Sequence, residues 1–136
     1  MTKEHIQQLT QNIFNEVVAN RRHIHANPEL SFHEVETSAF VAKKLEDMGL
    51  EYHKMANTGL VALIKGEKLS DQVVALRADM DALPILEAND VPYKSQHNGV
   101  MHACGHDAHT SSLLGTAKIL TELKSQVAGT MNLIFQ

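Results

Sequence analysis

The first part of the chain shows the spacing of apolar residues that is typical of two amphipathic helices. Apolar side chains recur three, four, four and seven positions apart, at Ile6, Leu9, Ile13, Val17 and Ile24. Thr2 can cap this first helix, and Pro28 should end it because the residue before a proline is forced out of the helical region. Ser31 and Glu34 have the spacing of a capping box, which predicts a second helix from Val35 to Met48.

After residue 50 the pattern changes to short apolar runs separated by turn residues. These runs predict two or three strands: 60–64 and 73–76 are strands, and 51–55 can form a further short one. A polar turn is expected at 66–71. The second and third runs are almost continuously apolar, which predicts strands buried on both faces. A helix that Asp107 caps and a last strand at 131–135 follow, so the order of elements predicts an α/β sheet layered with helices.

The stretch from Asp79 to His106 has no clear periodicity, and a loop of that length in a compact domain indicates function. Asp79 and Asp81 directly follow the third strand, and sites in open α/β sheets lie beyond the carboxyl ends of strands. Either carboxylate could bind a metal or accept the second ring N–H of a ligating histidine. We therefore expect Asp79 to lie close to the segment that contains Cys104 and His106.

Histidine is unusually frequent, with nine residues in the chain, and five of the eight positions from 102 to 109 are His, Cys or Asp. Cys104 and His106 are separated only by Gly105, so in an extended segment both side chains can reach one small volume. Thiolate and imidazole are ligands for a borderline-soft divalent ion, so Cys104 and His106 are candidate metal ligands. A helical geometry would instead pair His106 with His102, four positions away, or with His109, three positions away. Two alternatives remain open: a hydrolase that uses Cys104 as its nucleophile, and a metal-binding module without catalysis.

Charge and cysteine content narrow the class of protein. There are 12 Lys and Arg against 16 Asp and Glu, so the net charge is −4, which argues against nucleic acid as a partner. No apolar run approaches the ~18 residues that a membrane span needs. The sequence also shows no signal peptide and only one cysteine, and both features favour the cytoplasm.

Three separated stretches resemble the amino-terminal part of the M20 metallopeptidase family. They are 25–30 followed by Glu34, 77–84, and 99–109. The match is to the amidohydrolase branch, which contains aminoacylase-like, hippurate hydrolase-like and auxin-conjugate hydrolase-like enzymes. The resemblance implies a layered α/β/α sheet of the zinc-exopeptidase type. It also implies that residues 1–136 are an incomplete, N-terminal part of the catalytic domain, without the lid or dimerisation domain.

The resemblance further implies a hydrolase with two divalent ions (Zn, Mn, Co or Ni) that removes the acyl group from an N-acyl amino acid. Cys104 and His106 would be metal ligands, and the Cys104 thiolate would bridge the two ions. Asp79 would not bind an ion itself but would hold a residue that does. Arg77 stands where many members have a ligating histidine, so no metal role passes to it. The general base is expected beyond Gln136, so the 136-residue chain should be inactive, and a homo-oligomer is possible.

The remaining matched residues carry less specific expectations. His25 and Glu29 belong to the first matched stretch, and we expect a structural role for both. His102 and His109 also match the family, but the resemblance assigns no ligand role to either.

Overall fold

The computed structural model describes residues 2–136. In these residues the helices are α1 (Lys3–Ala26), α2 (Val35–Asp47) and α3 (His106–Glu122), with a short 3-10 helix at Lys124–Gln126. The strands are β1 (Tyr52–Met55), β2 (Gly59–Lys65), β3 (Lys68–Ala78) and β4 (Ala128–Phe135). The predicted order of elements and the predicted α/β class are therefore confirmed. None of the three helices is long and apolar enough to cross a membrane.

The strands form one sheet in the order β1-β2-β4-β3. β2 pairs antiparallel with β1 and β4, whereas β3 and β4 run parallel, with Ala78 opposite Phe135. Pairing continues past both strands, because the Gln136 amide donates to the Ala78 carbonyl (2.9 Å) and the Met80 amide donates to the Gln136 carbonyl (2.6 Å). The carboxyl ends of β3 and β4 thus lie side by side, and the long loop starts there.

One face of the sheet carries the core, which corrects the expectation of strands buried on both faces. Leu60, Ala62 and Ile64 of β2 pack with apolar residues of α2 and α3. On the opposite face of the described sheet Leu63 is 49% exposed, and in β3 Val73 is 62% exposed. A continuous apolar run could not reveal this difference, because it supplies apolar residues to both faces whether or not both are covered.

The first helix agrees with its predicted ends, but the second has a different cap. The Thr2 hydroxyl accepts a hydrogen bond from the His5 amide, which confirms the predicted cap of α1. The capping box of Ser31 and Glu34 is wrong. The Glu29 carboxylate instead accepts from the two amides at the start of α2, those of Glu36 (3.1 Å) and Thr37 (2.8 Å).

The reason lies in the turn that precedes α2. Phe32 has a left-handed φ of +67°, so the chain reverses between Ser31 and the helix. The Glu34 carboxylate accepts from the Phe32 amide (3.0 Å) and from the Thr58 hydroxyl (2.9 Å), and it therefore stabilises this turn and its contact with the sheet. The Glu29 side chain, which is longer than that of the predicted cap Ser31, reaches the free amides of the helix instead.

β3 begins at Lys68, five residues before the predicted strand, so the polar turn shortens to residues 66–67. The pairing of β3 with β4 is interrupted between Lys68 and Val73. Gly129 of β4 explains the interruption, because a Cβ atom there would lie 2.3 Å from the Gln72 carbonyl oxygen, and its φ is +83°. Polar residues are tolerated in this part of β3 because the strand is exposed at the edge of the described sheet.

The predicted cap of α3 is also wrong. The helix begins at His106, and its N-cap is Gly105, whose φ of +95° is one that glycine adopts without strain. Asp107 lies inside the first turn and is fully buried. Its Oδ2 atom binds Arg21 and His25 of α1, and its Oδ1 atom accepts from the amide of its neighbour Ala108 (2.9 Å), so the carboxylate acts inside the first turn and does not cap the helix from outside.

Candidate metal centre

A cleft of about 360 Å³ opens at the carboxyl ends of β3 and β4. Its walls include Arg77, Asp79, Asp81, His106 and Gln136. Asp79 follows β3, whereas His106 starts α3, and the long loop folds back to bring them to one side of the sheet. The structure thus places two of the three residues predicted for the site around one volume.

His106 is held in one orientation by Asp81. Its Nδ1 atom lies 2.8 Å from the Asp81 carboxylate and 3.0 Å from the Asp81 carbonyl oxygen. Both oxygens are acceptors, so Nδ1 carries the proton and Nε2 keeps a free lone pair. A histidine that binds a metal through Nε2 needs this tautomer, and its Nδ1 then commonly donates to a carboxylate or a carbonyl.

Asp79 makes a different set of contacts. Its carboxylate lies 2.5 Å from the Arg77 guanidinium, and its carbonyl oxygen accepts from the Thr110 hydroxyl on α3 (2.9 Å). The carboxylate that contacts His106 belongs to Asp81, the other residue that the sequence left open for this role. That Asp79 holds a metal ligand in place stays a prediction.

Cys104 is exposed just before α3. Gly105 follows it in the left-handed conformation, and the Gly105 carbonyl accepts the amides of Ala108 (3.0 Å) and His109 (3.1 Å). The thiol therefore stands at the start of a helix, where free amides favour an anionic group. Within residues 2–136, no group of three or more His, Cys, Asp or Glu side chains is arranged to hold a metal ion.

His102 is a buried imidazole whose hydrogen-bonding capacity is unused. It is 4% exposed, and neither ring nitrogen has a hydrogen-bond partner in the part of the chain that the structure describes. Burial lowers the pKa of His102 to about 4, although the carboxylate of Asp107 opposes the shift. An unpartnered imidazole of this kind, two residues from a thiol, is chemistry that fits a divalent ion nearby.

A second cluster of buried charged groups lies behind the centre, and the sequence pattern does not reveal it. The His25 ring lies between two carboxylates, with Nδ1 2.7 Å from Asp107 and Nε2 3.0 Å from Glu87. The Arg21 guanidinium also contacts Asp107, at 2.8 Å. Glu87 is a single acidic residue in an aperiodic loop, so nothing in the sequence distinguishes it from a surface carboxylate.

Hydrogen bonds keep Glu87 ionised inside the protein. Burial by itself raises the pKa of a carboxyl group, but bonds from the His25 ring, the Ser95 amide and the Asn89 side chain outweigh burial. The result is a Glu87 pKa lowered to about 2.

Comparison with known proteins identifies the family of the chain. Residues 75–136 match the family described as Peptidase family M20/M25/M40. This part of the chain includes the cleft residues that lie between β3 and α3. The N-acyl-L-amino acid amidohydrolase of Geobacillus stearothermophilus is 48% identical over the whole of this chain. The chain belongs to the M20 peptidase family. The N-acetyl-L-cysteine deacetylase of Bacillus subtilis, also 48% identical, matches 89% of the chain.

A solved structure supports the same assignment. The YxeP protein of Bacillus subtilis, described as a dinuclear metal-binding peptidase from the M20 family, superposes with a TM-score of 0.88 at 42% identity over 93% of this M20 chain. The chain spans only part of each relative: 37% of the amidohydrolase, 29% of the deacetylase and 35% of the YxeP chain.

Proposed function

We propose that the protein that contains these residues is a metal-dependent amidohydrolase that removes the acyl group from an N-acyl amino acid. One observation carries the proposal. The Asp81 carboxylate and carbonyl fix His106 with Nε2 free, in the loop that also exposes the Cys104 thiol. The family supports this class of reaction, and so do the activities after which two relatives are named, an amidohydrolase and a deacetylase.

Cys104 and His106 would be the metal ligands of this chain. Zinc sites generally have about four ligands, so the two residues account for part of one coordination sphere and the rest comes from elsewhere. The likeness to the dinuclear YxeP protein supports a site for two ions, to which the Cys104 thiolate would contribute as a ligand. Zinc, manganese, cobalt and nickel are the metals to test. A bound ion would polarise the amide carbonyl and make a water molecule acidic enough to act near neutral pH.

The residues of the chain would prepare the site rather than complete the reaction. Asp81 fixes the tautomer of His106, and Arg77 with Asp79 places a compact ion pair at the wall of the cleft. The cleft carboxylates Asp79, Asp81 and Glu34 are each bound to an arginine, a histidine or hydrogen-bond donors. Because each of these carboxylates already has a partner, and because the family resemblance puts the general base later in the sequence, we place the base outside these 136 residues and expect the isolated chain to be inactive.

The test uses the full-length product of the gene, stripped with a chelator and reloaded with each metal in turn. N-acetyl amino acids with apolar, acidic and sulfur-containing side chains serve as substrates. We expect activity to disappear with the metal and to return on reloading. Cys104→Ala should lose both the bound metal and activity, because the thiolate ligand is removed.

Two controls separate the alternatives. Ala103→Ser changes the exposed neighbour of Cys104 without touching a ligand, and it should retain wild-type metal content. Activity that survives chelation would instead indicate a cysteine-nucleophile hydrolase, and metal binding without turnover would indicate a binding module. Turnover by the 136-residue chain itself would show that a base lies within these residues.

A further inference from the structure

His25 joins three segments that are distant in the sequence. It lies near the end of α1, and its ring contacts Glu87 in the long loop and Asp107 in the first turn of α3. All three side chains are at least nine-tenths buried. Asp107 is the residue after the predicted ligand His106, so the contact with His25 holds the start of the helix that carries this ligand.

The geometry gives each nitrogen of the His25 ring a carboxylate partner. Ionised carboxylates only accept hydrogen bonds, so a ring with a carboxylate at each nitrogen donates from both. The Arg21 guanidinium also approaches Nδ1, at 3.2 Å. If Nδ1 instead accepted from Arg21, its lone pair would face the Asp107 oxygen 2.7 Å away, which is repulsive.

Glu87 extends the connection into the loop. Its second carboxylate oxygen accepts from the Ser95 amide (2.7 Å), and the Ser95 hydroxyl donates to the Val100 carbonyl (2.7 Å). The next residue, Met101, is paired with Leu83 beside the strand end. One continuous set of hydrogen bonds thus runs from His25 to the segment immediately before Cys104.

Burying such a cluster of charged groups contributes little net stability to a fold. Buried ion pairs lose hydration, and well-packed apolar residues of similar size often give equal or greater stability. What apolar residues cannot supply is orientation, because hydrogen bonds fix the direction of the groups that they join. The cluster lies directly behind the two predicted ligands and reaches both of their segments.

We propose that His25 is a positioning residue of the metal centre, which holds Asp107 and Glu87 so that His106 and Cys104 face a common point. This inference rests on the function proposed above. It assigns to His25 a role toward the ion that goes beyond the structural role expected for it from the sequence.

The test measures metal affinity and stability separately in the full-length protein. Zn²⁺ affinity is measured by competition with a chromophoric chelator, and the thiolate-to-Co²⁺ absorption reports whether Cys104 still binds. His25→Gln removes one of the two charged bonds, and we expect affinity to fall roughly 10- to 100-fold, the range found for residues that orient ligands. His23→Gln, an exposed position on the same helix, is the control and should stay within about twofold of wild type.

Glu87→Gln provides a milder second variant, because its amide oxygen still accepts from the His25 ring. We expect an affinity loss smaller than that of His25→Gln, with the Co²⁺ band retained. All affinities are measured well below the unfolding temperature of each variant, so that lower stability does not mimic weaker binding. Should His25→Gln not fold, the Glu87→Gln affinity decides in its place.

The outcomes separate the two proposals. Wild-type protein that binds no metal contradicts the proposed function. Wild-type protein that binds, with His25→Gln or Glu87→Gln binding equally well, contradicts the role of His25 and leaves the function intact. Nitrogen NMR of the metal-free protein adds a readout without metal: the two His25 ring nitrogens should show hydrogen bonds to Asp107 and Glu87, and a ring that lacks either bond would overturn the assignment.

Discussion

At the scale of single residues, Asp81 gives the predicted ligand His106 a fixed orientation, because its carboxylate and its carbonyl oxygen both lie within hydrogen-bond distance of Nδ1. Cys104 and His106 stand out because few segments contain so many ligating side chains. The sequence could not distinguish the roles of Asp79 and Asp81, because both follow β3 and they lie only two positions apart in an irregular segment. Only the return of the loop toward α3 decides that Asp81 meets His106, 25 residues later.

Replacement of Asp81 by Ala should weaken metal binding without unfolding the protein. The His106 ring would lose its carboxylate partner and would be free to rotate or to change tautomer, which generally costs 10- to 100-fold in metal affinity. Competition with a chelator measures the loss. Asp90→Ala, in an exposed part of the same loop, should bind as wild type does. Equal affinities for the two variants would show that Asp81 does not orient a ligand.

Glu87 should make stability depend on acidic pH. Its pKa is lowered to about 2 in the folded protein, against an ordinary value of 4.5, so its ionised form stabilises the fold above about pH 4.5. That contribution is lost as the pH falls from about 4.5 to 2, and it amounts to on the order of 3 kcal/mol. We expect Glu87→Gln to be less stable than wild type at pH 6 and to approach it near pH 2.

Urea unfolding curves at several pH values measure this difference. Glu51→Gln removes an exposed carboxylate and should leave the difference from wild type constant across the range. A Glu87→Gln variant that follows wild type in parallel between pH 6 and pH 2 would contradict the contribution of Glu87.

At the scale of elements, periodicity located the helices and strands, whereas a local turn and a tertiary ion pair decided which residues cap the helices. The three helices and the strands β2, β3 and β4 were predicted, because each has a clear apolar pattern. β1 has no such pattern, and the sequence left its segment open as a short strand. The capping residues of α2 and α3 were predicted wrongly. Ser31 and Asp107 have the residue types and positions of caps, but a left-handed turn redirects the first and a buried ion pair engages the second.

A pair of variants tests the cap of α2. Glu29→Ala removes the acceptor for the Glu36 and Thr37 amides and should destabilise the protein by about 1 kcal/mol, as the loss of a helix cap generally does. Ser31→Ala removes the residue expected as a cap from the sequence and should change stability by less than about 0.5 kcal/mol. Urea unfolding at neutral pH measures both, and the reverse order of effects would restore the capping box.

At the scale of the whole molecule, the family motifs could be recognised in the sequence because each of them is short and local. The matched stretches at 25–34, 77–84 and 99–109 surround the cleft, and the comparisons confirm the family that they indicate. The exposure of β3 was not readable, because Val73 and Val74 have the composition of a covered strand. The edge position of β3 in the described sheet follows from its pairing with β4 alone, which no local pattern encodes.

The exposed edge gives the 136-residue chain a surface for self-association. β3 is the last strand of the described sheet, and it presents Val73 and Val74, which are 62% and 45% exposed, beside unpaired backbone groups. Such an edge pairs readily with another strand. We expect sedimentation velocity to show dimers or larger species that dissociate when Val74 is replaced by Lys. Leu86→Lys places the same charge at an exposed loop position and should leave association unchanged. A chain that stays monomeric at the same concentration would show that the edge of β3 is protected in another way.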